Sequence, residues 1–144
     1  MVIGLAEKRK KRKKITQEDF TPEVLVNEML DKLPKEVWIN PQKTFLDNSA
    51  GNGNFLVAIL ERKLSYGHNP LQALSTIYGV ELMPDNVQEM HQRMFDIVKP
   101  YLKSDAEEIR AWEILHHNCV VHDALTWDYE NWCSPNNHHT VPLF

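Results

Sequence analysis

Three acidic residues close three short apolar runs: Asp47 follows Thr44-Phe45-Leu46, Glu81 follows Ile77-Tyr78-Gly79-Val80, and Asp123 lies just past Asn118-Cys119-Val120-Val121. The first runs into a glycine-bearing turn, Asn48-Ser49-Ala50-Gly51-Asn52-Gly53, and then into the apolar segment Asn54 to Leu60. Such a turn lets backbone approach a ligand without Cβ collisions, and a helix behind it aims unpaired N–H groups at that ligand. The dinucleotide fingerprint would place a third glycine at position 56, where this chain has Leu56. A carboxylate in front of the turn also suits a pyrophosphate poorly and a cationic group well. Glu81 has the position of a carboxylate that accepts two ribose hydroxyls, and Asp123 that of an acceptor for an exocyclic amine. Together the three outline a nucleoside with a positively charged attachment, a description that S-adenosylmethionine meets.

The elements that must hold these residues can be read from periodicity. Thr21-Pro22 has the form of an N-cap and first helical residue, and Leu25, Val26, Met29, Leu30 and Leu33 recur at helical spacing up to Pro34. A polar connector containing Pro41 leads to the first strand. The helix after the glycine turn ends near Gly67, and a short helix around Leu71 to Leu74 precedes the second strand. Pro84 opens a helix with Val87, Met90, Met94 and Ile97 on one face, a packing stripe that stops near Pro100, and Asp105 to Leu115 form a further helix before the third strand. Strand and helix alternating in this way predict an α/β fold with a parallel sheet between helices, which binds ligands at the carboxyl ends of its strands.

In order and spacing, Phe20-Thr21-Pro22, Asp47 to Leu56, Tyr78-Gly79-Val80-Glu81 and Val121-His122-Asp123-Ala124-Leu125 resemble successive motifs of adenine-N6 DNA methyltransferases, of the branch found in restriction-modification systems and phages. The resemblance implies a Rossmann-like methyltransferase sheet and S-adenosylmethionine as cofactor. It implies that Phe20 and Thr21 border the cofactor, with Thr21 near its carboxylate, and that Asp47, Gly51 and Gly53 hold the methionine part, with Asn48, Ala50 and Phe55 around them. Glu81, followed by Leu82, would take the ribose, and Asp123 with Ala124 the adenine. Asn48 departs from the pattern, which has proline after the aspartate.

The family's catalytic motif, Asn or Asp followed by Pro-Pro and an aromatic, sits on a fourth strand; there an amide oxygen and a carbonyl accept the protons of the target amine while the aromatic stacks on the flipped base. No such motif occurs in the 144 residues, and Val141-Pro142-Leu143-Phe144 does not supply one. The expectation is a sheet truncated after about three parallel strands, with no catalytic residue in this chain and no target-recognition region. A catalytically silent module that binds or sequesters the cofactor in a phage or restriction-related complex is the alternative, and a gene remnant that still folds is a third reading. Because the fourth strand of the family pairs beside the first, the first is expected to keep an open edge, over which the tail folds back or a second chain closes.

Charge divides the chain. The formal net charge of -4 hides a run of seven basic residues, Lys8, Arg9, Lys10, Lys11, Arg12, Lys13 and Lys14, ahead of a body with nine basic and 19 acidic residues from Ile15 onward. The domain reading is therefore a basic flexible arm over 1–14, a cofactor-binding domain over 15–126 and an irregular tail over 127–144. Phosphate neutralisation needs just such a basic cluster, so the arm is the expected contact with DNA. No apolar stretch has membrane-spanning length, the two cysteines do not suggest a disulfide scaffold, and a cytoplasmic protein is expected. His117, Cys119 and His122 are close in sequence, but strand alternation separates His122 from the other two, so no metal site is expected there.

Overall fold

The computed structural model describes residues 20–135. Its elements are α1 (Glu23–Asp31), α2 (Glu36–Ile39), β1 (Phe45–Asp47), α3 (Asn54–Ser65), α4 (Pro70–Ser75), β2 (Ile77–Glu81), α5 (Pro84–Val98), a 3-10 turn (Lys99–Tyr101), α6 (Asp105–Asn118) and β3 (Cys119–Val121). The strands form one open, all-parallel sheet in the order β1-β2-β3, with Phe45 opposite Ile77, and Gly79 opposite Cys119. This is the α/β arrangement expected from the alternation, with helices flanking the sheet.

Local chemistry explains most boundaries. Asn69 caps α4 by accepting from Leu71 and Gln72 N–H groups, with Pro70 as first helical residue. Ser104 caps α6 through the Glu107 N–H, and the Glu107 carboxylate reaches back to the Lys103 N–H, a reciprocal box that satisfies two donors. The α1 start differs from the sequence expectation: Pro22 holds the N-cap position and no side chain caps the helix. Of its apolar residues only Val26 and Leu30 are buried, while Leu25, Met29 and Leu33 stay exposed. The α1 helix presents only a narrow stripe to α3, to which Arg62 ties it by donating to Asp31 Oδ1 at 2.6 Å and to the Asn27 carbonyl at 2.9 Å. Within the connector before β1, α2 is an unanticipated turn of helix that buries Trp38 against Phe45, rings 5.1 Å apart and stacked.

The core joins the sheet to α3 and α5 and extends to buried residues of α1, α2, α4 and α6. In α5 the residues Val87, Met90, Met94 and Val98 are buried and Ile97 is half-buried, the stripe expected of a helix lying on a sheet. In α3, Leu56 and Leu60 are fully buried, each contributing about 2 kcal/mol by removal from water. Leu56 fits because β2 carries a glycine beneath it: a Cβ on Gly79 would stand 2.7 Å from Leu56 Cδ1 and 3.3 Å from the Ala50 Cβ. The small residue that permits close helix–strand packing is thus on the strand rather than on the helix.

Candidate functional site

The carboxyl ends of β1 and β2 meet at the glycine turn. Asp47 Oδ1 accepts from the Ser49 N–H at 3.0 Å, folding the chain back as it leaves β1, and the Ala50 N–H donates to the Val80 carbonyl at 3.1 Å, which pins the turn to β2. Gly51 and Gly53 both have positive φ, +56° and +92°, which side-chain-bearing residues rarely adopt. Beyond conformation, both are places of close approach: a Cβ at Gly51 would stand 2.9 Å from the Phe20 ring, and one at Gly53 2.8 Å from Met90 Cγ.

Glu81 holds this turn from behind. Its Oε1 accepts from the Gly51 N–H at 2.9 Å, and its Oε2 accepts from the Met83 N–H at 3.0 Å and from Asn86 Nδ2 at 3.1 Å. One carboxylate therefore joins the loop after β1 to the loop after β2. On the other side α5 clamps the turn with two residues one helical turn apart. Glu89 accepts from Asn52 Nδ2 at 2.8 Å, and Arg93 Nη1 donates to the Asn52 carbonyl at 3.0 Å and to Asn54 Oδ1 at 2.8 Å. Asn54 Nδ2 in turn donates to the Thr21 carbonyl at 2.8 Å, docking Phe20-Thr21 against the turn.

These contacts enclose a cavity of about 240 Å³, lined by the expected residues Phe20, Thr21, Asp47, Ala50, Gly51 and Phe55 and also by Ser49, Asn52 and Asn54. Gly53 is buried beneath the turn and Asn48 is exposed outside the lining. Leu82 is 58% exposed beyond Glu81. Asp123 and Ala124 follow β3 and do not line this cavity: Asp123 Oδ1 accepts from the Leu125 N–H at 2.9 Å, and the Ala124 carbonyl accepts from Tyr129 Oη at 2.7 Å. The pairing of β2 with β3 sets Val121 opposite Glu81, so Asp123 is on the same carboxyl-end side of the sheet as the other two carboxylates. The residues from Lys8 to Lys14 lie outside the described residues.

Burial pushes the Asp47 carboxyl above its ordinary range, the Ser49 N–H pulls it down, and the nearby Glu81 charge pushes it up again. The ionised form of Asp47 is therefore disfavoured, mainly by burial. Asn52 Oδ1 is buried in the same lining without a hydrogen-bond partner. Behind Gly53 the first turn of α3 carries no side-chain cap. Its N–H groups suit an anion.

Elsewhere the sequence motifs have separate partners. The Cys119 thiol is buried and pushed up to about 12 by burial. His117 Nδ1 lies 2.7 Å from Asn118 Oδ1, and His122 Nε2 3.0 Å from Thr126 Oγ1. Among the described residues no three His, Cys, Asp or Glu side chains are grouped so as to hold a metal ion, and no helix is long and apolar enough to cross a membrane. No protein-family model, curated protein or solved structure matches this chain.

Proposed function

We propose that this chain is the Rossmann-like, S-adenosylmethionine-binding part of a DNA adenine-N6 methyltransferase of the restriction-modification and phage type. The observation that supports it most directly is the cavity at the end of β1, lined by Asp47, by the glycine turn with Asn52, and by the first residues of α3, Asn54 and Phe55. In this reading Asp47 and Asn52 accept from the ammonium of the methionine part, and its carboxylate lies toward Thr21 and the α3 N–H groups. Phe20, held over Gly51, covers the group from solvent. Glu81 offers its remaining lone pairs to the ribose hydroxyls while keeping the Gly51 N–H in place. Asp123 and Ala124 bracket the adenine. The cofactor when bound supplies an activated methyl group; the residues of this chain bind and orient it.

The sequence holds no Asn-Pro-Pro-aromatic motif to accept protons from a target amine, so transfer requires that motif from another segment or chain. The open edge of β1 is where a second chain would join, and Lys8 to Lys14 are the proposed contact with DNA. Titration calorimetry with S-adenosylmethionine, followed by a methyl-transfer assay on unmethylated DNA, tests the reading. Binding that is weakened at least tenfold by Asp47→Ala, without transfer by the chain alone, is expected. Absence of binding by a folded protein refutes the cofactor assignment. Transfer by the chain alone refutes the assignment of catalysis elsewhere. DNA affinity that does not change when the seven basic residues are replaced by glutamine removes the arm from the proposal.

A further inference from the structure

The chain after β3 returns to the sheet. On the sheet face turned away from α3 and α5, the register sets Leu46 beside Tyr78. The Tyr78 ring meets Trp132 edge-on with centroids 4.8 Å apart, and Tyr129 lies 6.2 Å from Trp132 on its other side. The polar tips of the two tail aromatics are fixed: Trp132 Nε1 donates to the His117 carbonyl and Tyr129 Oη to the Ala124 carbonyl, both at 2.7 Å. Trp132 takes φ +52°, a left-handed geometry that a bulky residue adopts only when its surroundings impose it. The backbone is strained so that the indole can stand where it does.

Leu46, Tyr78, Tyr129 and Trp132 enclose a cavity of about 370 Å³ with Thr44 and Glu130 at its rim. Leu46 is 51% exposed to it. The Glu130 carboxylate makes no hydrogen bond or ion pair among the described residues, although its own N–H is held by Asp128 Oδ1. Aromatic walls with an acidic residue in the lining form a usual environment for an organic cation, because ring faces are electron-rich and attract positive charge. Among the described residues β1 pairs with β2 alone, and its other edge runs past the same place. The Phe45 N–H points across to β2 and donates to the Thr76 carbonyl, so alternation turns the N–H and C=O of Leu46 outward. A residue paired in register with Leu46 on an added strand would project its side chain onto the face that holds the slot.

We propose that this slot binds the arginine or lysine side chain of an extended polypeptide that pairs with β1, a site separate from the cofactor cavity and on the same edge at which the proposed function places a second chain. A polypeptide rather than a free cation is favoured because the Leu46 backbone groups lie beside the slot, and only a chain uses both.

The test is binding of a labelled Thr-Val-Arg-Val-Thr peptide to the whole protein, followed by fluorescence anisotropy and by amide and indole NMR shifts. The expected result is saturable binding that shifts the Trp132 indole and slows exchange of the Leu46 amide. Replacing the peptide arginine by neutral, isosteric citrulline should weaken binding about five- to thirtyfold. Glu130→Gln, a change at an exposed side chain that leaves the fold intact, should weaken it about threefold or more, and less at high salt. Equal affinity for the citrulline peptide, or no effect of Glu130→Gln, overturns the cation assignment, and no binding overturns the site. Ethylguanidinium that reproduces the Trp132 shift with an affinity equal to the peptide's overturns the polypeptide assignment. Peptide binding that strengthens markedly once Lys8 to Lys14 are neutralised identifies the chain's own basic run as the occupant and overturns the assignment to a partner.

Discussion

Gly53 joins the candidate site to the core, and replacing it by alanine has a calculable cost. Its φ of +92° and ψ of 20° lie in the left-handed region, where a Cβ costs about 1–2 kcal/mol. The new Cβ would also stand 2.8 Å from Met90 Cγ and 3.1 Å from Met90 Cβ, and Met90 is fully buried with no room to retreat. Overpacking of this kind costs about 1–3 kcal/mol. The sum, about 2–5 kcal/mol, is a large share of the roughly 5–15 kcal/mol that stabilises a domain. Urea denaturation of Gly53→Ala should show a midpoint lower by about 1–2 M with an unchanged slope. A double-mutant cycle with Met90→Ala isolates the larger part of the collision, because that change removes the 2.8 Å contact and leaves the backbone strain with the 3.1 Å contact to Cβ. The coupling should be about 1–2 kcal/mol in the relieving direction. A loss below about 0.5 kcal/mol for Gly53→Ala would refute the requirement for left-handed geometry, and the full loss in the Met90→Ala background would refute the collision.

The remaining expectations concern the carboxylates, the clamp and a buried lysine. Because the fold raises the Asp47 pKa above its unfolded value of 3.8, its ionisation costs stability as pH rises through and above that range. Asp47→Asn keeps the acceptor for the Ser49 N–H, so chemical denaturation at pH 7 should find it as stable as the parent or more so, while cofactor binding falls; lower stability at pH 7 would contradict this. Arg93→Ala removes the donor to the Asn52 carbonyl and to Asn54, which carries Thr21. Cofactor affinity should drop about tenfold, with slowed exchange of the Asn54 side-chain amide lost in NMR, and Arg93→Lys should restore only part. Lys63 is fully buried, donates to the Lys43 carbonyl at 2.9 Å, and has its pKa lowered by burial from 10.5 to about 8. A lowered lysine pKa disfavours the folded state below about pH 8 and ceases to do so above about 10.5. Relative to Lys63→Met, the parent should therefore gain stability between those values, as measured by thermal melts across the range.

Much of the fold was legible because local signals and tertiary needs agree. The β1 run ends in a turn with glycines at both left-handed positions, and the stripe in α5 lies where its period puts it. Leu56 can stand where the dinucleotide fingerprint has glycine because the space that the fingerprint takes from the helix is here taken from β2 at Gly79, 23 residues later in the chain. The clamp from Glu89 and Arg93 was hidden because its partners are 37 to 41 residues away, and a polar pair one turn apart reads as a solvated helix face. The short α2 could not be seen in four residues of mixed character after Pro34, although buried Trp38 needed something to pack on. Thr21 resembled a cap, yet its use is the carbonyl that receives Asn54. The tail aromatics were legible only as composition, since their contacts with Tyr78 depend on the sheet already being formed.

The position of β1 within the sheet bears on how firmly the site is held over time. Among the described residues β1 pairs with β2 alone and for three residues, whereas β2 is flanked on both sides and roofed by α3 and α5. Opening of the edge strand needs far fewer bonds broken than opening of the centre, so the two belong to different steps of a local unfolding ladder. Asp47 stands on the weak step and Glu81 on the strong one. The bond from Gly51 to Glu81 and the contact of Ala50 with Val80 are then the rungs by which the strong step steadies the weak one. A ligand that bridges the two carboxylates would add a further rung, and its binding would be felt first as slower opening of the edge.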